Sequence, residues 1–107
     1  AAWAAEEWGR NDPSALVQAG LALSRFDSTG WIDQIDVPTA VVVTELDTTV
    51  SPRRQQRLVD TIPGAAAFPV EGTHRACVDA HRAFVPALMS ACAVVRREVE
   101  VPGQAGH

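Results

Sequence analysis

Residues 39–44, Thr-Ala-Val-Val-Val-Thr, are a continuous apolar, β-branched run. A strand with one face in water alternates apolar and polar residues, and this run does not. It therefore reads as a strand buried on both faces, of the kind found in parallel sheets covered by helices. Pro38 biases the residue before it towards extended backbone and leads the chain into the strand. Residues 45–50 are a polar loop. Ser51 and Pro52 then read as the N-cap and first residue of a helix ending near Thr61, with Leu58, Val59 and Ile62 on its inner side. Pro63-Gly64 stops that helix. Residues 65–70 predict a second short strand, and Pro69 near its end marks a sheet edge. A strand–helix–strand unit with so short a crossover predicts a parallel, right-handed pair.

The flanking segments read as helices. Residues 1–9 are rich in helix formers and close with Gly9. Asp12 and Pro13 form a second helix start, and the helix extends to about Ser24. Leu16, Ala19, Leu23 and Phe26 recur along it at three- and four-residue spacing. Residues 27–30 break it, and residues 31–35 predict one short helical turn. After a loop at 71–74, Asp79 is placed to cap a last helix over about 80–95, with Phe84, Leu88, Cys92 and Val95 as its inner stripe. Residues 96–107 read as a tail. The order is helix, helix, strand, helix, strand, helix, an α/β arrangement of two parallel strands flanked by helices.

Composition excludes several classes. Nine basic residues, all Arg, against thirteen acidic ones give a net charge of −4. Nucleic acid and anionic membrane surfaces call for a basic footprint, so neither is an expected partner. No run approaches the roughly 18 apolar residues of a membrane span, and no signal peptide opens the chain. Cys77 and Cys92, if both lie along one helix, stand roughly 22 Å apart, too far for a disulfide. They read as buried free thiols, which suits a reducing, cytoplasmic setting. The chain starts without Met and inside a helical pattern, so it reads as a fragment, a processed product or a trimmed form.

In open α/β sheets chemistry sits at the carboxyl ends of the strands. Asp47 follows the first strand and His74 the second. An Asp that holds one imidazole nitrogen fixes the tautomer and leaves the other nitrogen free as a general base. Read alone, Asp47 is equally a loop residue bonding its own backbone.

Residues 35–92 resemble the C-terminal end of an α/β-hydrolase. The family pattern there is an Ile-x-Val-Pro-Thr lead-in, an apolar strand, then Gly-x-x-Asp-x-x-Val-x-Pro. This chain has Ile35-Asp36-Val37-Pro38-Thr39, the strand, then Thr44-Glu45-Leu46-Asp47-Thr48-Thr49-Val50-Ser51-Pro52. Phe68-Pro69-Val70-Glu71-Gly72-Thr73-His74, followed by Asp79 and Phe84, matches the strand, turn and histidine that come next in the family. The resemblance implies that Asp47 and His74, 27 residues apart, are the acid and histidine of a Ser-His-Asp triad. It also implies that residues 1–34 end a helical cap and that 35–95 belong to the core. Thr44 stands where the family has Gly, Glu71-Gly72-Thr73 replaces Gly-x-Gly, and His81 stands where the family often has Pro. No Gly-x-Ser-x-Gly nucleophile elbow occurs, and the five serines (14, 24, 28, 51 and 90) lie in helical or capping contexts.

The expected function is the acid–histidine part of a serine hydrolase acting on small apolar esters or related acyl compounds. Its nucleophile would come from an upstream segment or a second chain. No cofactor is expected. The alternative is a non-catalytic binding or self-associating module with idle triad positions. Epoxide, haloalkane or carbon–carbon bond cleavage, or acyl transfer, on the same scaffold also fits. With its sheet neighbours missing, the isolated chain is expected to form homo-oligomers. His74, Cys77 and His81 have the spacing of one helix face, but no fourth metal ligand is evident. Arg53, Arg54 and Arg57 read as a solvated face, and Trp3, Trp8 and Trp31 as ordinary packing or the lining of a lid.

Overall fold

The structure is a computed structural model and describes residues 2–100. Helix α1 spans Ala2–Gly9 and α2 spans Pro13–Arg25; a 3-10 turn covers Ile32–Gln34. Strand β1 (Ala40–Thr44), helix α3 (Pro52–Thr61) and strand β2 (Ala66–Val70) form the central unit. A single turn, α4 (Ala76–Asp79), and the long helix α5 (His81–Glu100) complete it.

The two strands pair in parallel, with Val42 opposite Phe68 and Thr44 opposite Val70. Helices α3 and α5 both pack against the sheet. The predicted start signals operate as chemistry demands. Asp12 Oδ1 accepts the Ser14 N–H at 3.0 Å and Ser51 Oγ accepts the Arg54 N–H at 3.3 Å, each with a proline in the first turn that follows. Both satisfy a backbone donor that the helix itself leaves unpaired.

The two sheet edges differ. Ala66 N–H donates to Thr39 O and Glu45 N–H to Val70 O, so residues 66, 68 and 70 turn their backbone groups towards β1. Residues 67 and 69 turn theirs outward. Pro69, which has no N–H, thus occupies an outward position and costs the ladder nothing while blunting that edge. On β1, residues 40, 42 and 44 face the opposite, outer edge.

The core consists of Ile32, Val43, Ile62, Val70, Ala76 and Ala91. Several sequence expectations change here. β1 is not buried on both faces: only Val43 is fully covered, because two strands offer too little sheet for the helices to enclose. On α3, Ile62 is buried and Val59 half-buried, but Leu58 is exposed, and the inner position one turn back belongs to Gln55. The last helix begins after a break at Ala80, with Asp79 ending α4 rather than capping α5, and it extends five residues beyond 95 to Glu100. Its inner stripe is Phe84, Ala87, Ala91, Val94 and Val95; Phe84 and Val95 are as expected, whereas Leu88 and Cys92 are exposed and Ala87 and Ala91, one position earlier, take their places. Small alanines at the contact let the helix approach the sheet closely. Both cysteines are free and exposed, not buried. The end of the predicted tail, 101–107, lies outside the described residues, as does Ala1.

Helices α1 and α2 bury no residue. Leu23 and Phe26 of the expected apolar stripe remain in solvent, as do Trp3 and Trp8. The radius of gyration is 16.7 Å, whereas a compact chain of this length has about 13 Å. The two N-terminal helices therefore stand off the core.

Gly72 is buried, and a Cβ built there falls 2.8 Å from the Ala76 Cβ and 3.3 Å from the Ala80 Cβ. Neither methyl can rotate away, so the backbone itself has to shift. Gly72→Ala is expected to lower the unfolding free energy by about 1–3 kcal/mol, measured by urea denaturation. Gly30→Ala, with nothing within 4 Å of the added carbon, is expected to stay within about 0.5 kcal/mol of the parent.

Candidate active site

The parallel register brings two loops together. Glu45 N–H donates to Val70 O at 2.9 Å and Leu46 N–H to Gly72 O at 3.0 Å, so the chain leaving β1 stays tied to the chain leaving β2. The Ala76 N–H then donates to Thr73 O at 3.0 Å and closes a turn in the second loop. His74 lies in that turn and Asp47 in the loop opposite.

Asp47 is 6% exposed. Its Oδ1 accepts the N–H groups of Thr49 at 2.8 Å and Val50 at 2.9 Å. Its Oδ2 accepts the Thr44 hydroxyl at 3.0 Å and lies 3.0 Å from His74 Nδ1, across 27 residues of sequence. Burial pushes this carboxyl up, but the donors of Val50, His74, Thr49 and Thr44 outweigh it and hold the group at about 2, against an ordinary 3.8. At neutral pH Asp47 is an anion and can only accept. The proton in the bond therefore sits on His74 Nδ1, and in the neutral imidazole this leaves the lone pair on Nε2. The His74 side chain is 55% exposed, and Nε2 has no partner among the described residues.

Gln55 was not anticipated from the sequence. It is buried on the inner face of α3, and its amide meets both backbone groups of Thr44: Oε1 accepts the N–H at 2.8 Å and Nε2 lies 3.3 Å from the carbonyl. Those groups point to the outer edge of β1, so the amide occupies the place a neighbouring strand would take. Nε2 also donates to Val50 O at 2.7 Å. The available signal was positional: Gln55, Val59 and Ile62 fall at four- and three-residue spacing on one helix face. Thr44 was noted as a departure from the family glycine; the structure adds that its hydroxyl bonds the carboxylate.

Other candidates do not assemble here. None of the five serines bonds His74; Ser51 is engaged as a helix cap. His81 is exposed, with Nδ1 3.3 Å from Val78 O. No group of three metal-ligating side chains occurs among the described residues. Arg54 and Arg57 line a cleft of about 480 Å³ with Phe26, Ile32 and Leu58, but neither Asp47 nor His74 lines it. No helix among the described residues is long and apolar enough to cross a membrane.

Comparison with known protein families, curated proteins and solved structures finds no match to this chain. The chemistry of the site therefore rests on its own geometry. That geometry is an imidazole held through Nδ1 by a fully bonded carboxylate, with Nε2 free to take or give a proton.

The lowered Asp47 carboxyl fixes a pH dependence. Between about 2 and 3.8 the unfolded chain binds this proton and the folded chain does not, so stability rises with pH across that window. The contribution is complete above the window and is lost as pH falls through it. Asp47→Asn is expected to flatten this part of the acid limb, read from urea midpoints between about pH 5 and pH 2. An acid limb unchanged in the variant would contradict the assignment.

Proposed function

We propose that this chain is the acid–histidine portion of a serine hydrolase with an α/β-hydrolase core, acting on small carboxylic esters or related acyl compounds. The supporting observation is the 3.0 Å Asp47–His74 bond at the carboxyl ends of two adjacent parallel strands. In this reading His74 Nε2 takes the proton of a serine hydroxyl as its oxygen attacks the acyl carbon. It then returns that proton to the leaving alkoxide oxygen. Asp47 orients the ring and stabilises the imidazolium.

The serine and the donors for the developing oxyanion come from a segment or chain other than residues 1–107, since no nucleophile elbow occurs in them. The edges of the sheet support the direction of that addition. Pro69 blunts the outer side of β2, while the outer groups of Ala40 and Val42 have no strand beside them among the described residues. Helix α1, with its exposed Trp3 and Trp8, and helix α2 take the place of a cap in this reading.

The test is kinetic, with p-nitrophenyl butyrate as substrate. The 107-residue chain alone is expected to show no saturable hydrolysis beyond its own His74→Ala variant. In the polypeptide or complex that supplies the serine, His74→Ala is expected to lower kcat/KM by at least about 10³-fold. Unchanged kcat/KM in that variant would overturn the proposal. The competing reading, a self-associating module with idle triad positions, draws on the exposed apolar side chains of α1 and α2. It expects no serine-dependent activity in any assembly and a mass by sedimentation that grows with concentration.

A further inference from the structure

The hydrogen bonds around Asp47 can be followed proton by proton. The Gln55 amide has one orientation, because its Oε1 faces the Thr44 N–H at 2.8 Å. A flipped amide would set donor against donor. Nε2 then has two protons to place. One goes to Val50 O at 2.7 Å and the other to Thr44 Oγ1 at 3.0 Å. Thr44 O at 3.3 Å and Asp47 Oδ2 at 3.4 Å are the longer alternatives.

With Oγ1 accepting from Gln55, the Thr44 hydroxyl has one proton to donate. Gln55 Oε1 is 3.3 Å away and already occupied by the Thr44 N–H, whereas Asp47 Oδ2 is 3.0 Å away. The proton goes to Asp47. The carboxylate thus receives four donors: Thr49 and Val50 N–H on Oδ1, Thr44 O–H and His74 Nδ1–H on Oδ2. A carboxylate has about four lone-pair sites, so all are filled. Rotation about its Cβ–Cγ bond breaks several of these bonds at once, in a site too buried for water to replace them readily.

We infer that Thr44 and Gln55 are positioning residues, a relay from Gln55 through the Thr44 hydroxyl to Asp47 that holds the carboxylate in the plane His74 needs and so keeps the imidazole in its Nδ1–H form. The inference deepens the proposed function and rests on it for its catalytic meaning, but the relay itself is a property of the folded chain. It also gives a use to Thr44, where a glycine would supply no hydroxyl. The two residues touch no reacting atom; they act through Asp47.

The tautomer is directly measurable. In the uniformly 15N-labelled 107-residue chain at alkaline pH, a long-range 1H–15N correlation spectrum reports which ring nitrogen of each histidine holds the proton. His74→Gln identifies the relevant resonances, and His81 and His107 serve as references in the same spectrum. The expected result is Nδ1–H at His74 in the parent chain, retained in Thr44→Ser, which keeps the hydroxyl. In Thr44→Val and in Gln55→Leu at least half of that population is expected to move to Nε2–H. Backbone amide spectra establish that each variant is folded. If Gln55→Leu does not fold, Thr44→Val against the parent decides alone, since it exchanges the hydroxyl for a methyl and keeps the β-branch, while Thr44→Ser shows whether the hydroxyl without the methyl suffices. Folded Thr44→Val with His74 still wholly Nδ1–H overturns the relay and leaves the Asp47–His74 pair standing. Nε2–H at His74 in the parent chain overturns that pair, and with it the proposed function.

Discussion

The backbone bonds just beyond the strands, Glu45 N–H to Val70 O and Leu46 N–H to Gly72 O, set everything else at this site. They hold two loops of unrelated sequence at one separation. The register Thr44–Val70 then leaves three residues to Asp47 on one side and four to His74 on the other. A slip of one residue in the pairing would turn the side chains of one strand to the opposite face and separate the pair. Burial of Val43 and Val70 resists that slip. Packing thus acts on chemistry through register: the core is small, but it is placed where it locks the two loops.

Asp47 is a buried charge, and such a charge is tolerated only when it is bonded. Four donors from three separate places, the loop 49–50, the strand end at 44 and the turn at 74, meet it. The cost of burying the carboxylate is offset locally, and its acceptors fix the neighbouring imidazole. The consequence for His74 follows from elementary acid–base chemistry: the proton lies on the side of the anion, and the free nitrogen faces outward.

Much of this was legible in the residues. The short crossover between the two apolar runs predicts the parallel pair that forms, and Asp12, Ser51 and their following prolines mark two helix starts. The Asp47–His74 juxtaposition followed from strand ends in a parallel pair. The role of Gln55 did not. A polar residue on an inner helix face is conspicuous only once its partners are known, and those partners are the backbone of a strand end eleven residues back. The facing of α5 differs from the expected one for a related reason. Hydrophobicity favoured Leu88 and Cys92, whereas close helix–sheet contact selected Ala87 and Ala91. The three- and four-residue spacing along α2 marks an apolar face, yet within residues 2–100 that helix has no buried residue. Periodicity announces a face that needs a partner but does not say which element supplies it.

The central claim is that His74 serves a serine located outside this chain. Treating the source cells with a fluorophosphonate and capturing the product with an antibody against these residues tests it most directly. The expected result is a captured species that carries the label on a serine absent from residues 1–107, with labelling lost when His74 is replaced by Ala in the gene. A captured species that takes no label, or one whose labelling is indifferent to His74, would contradict it.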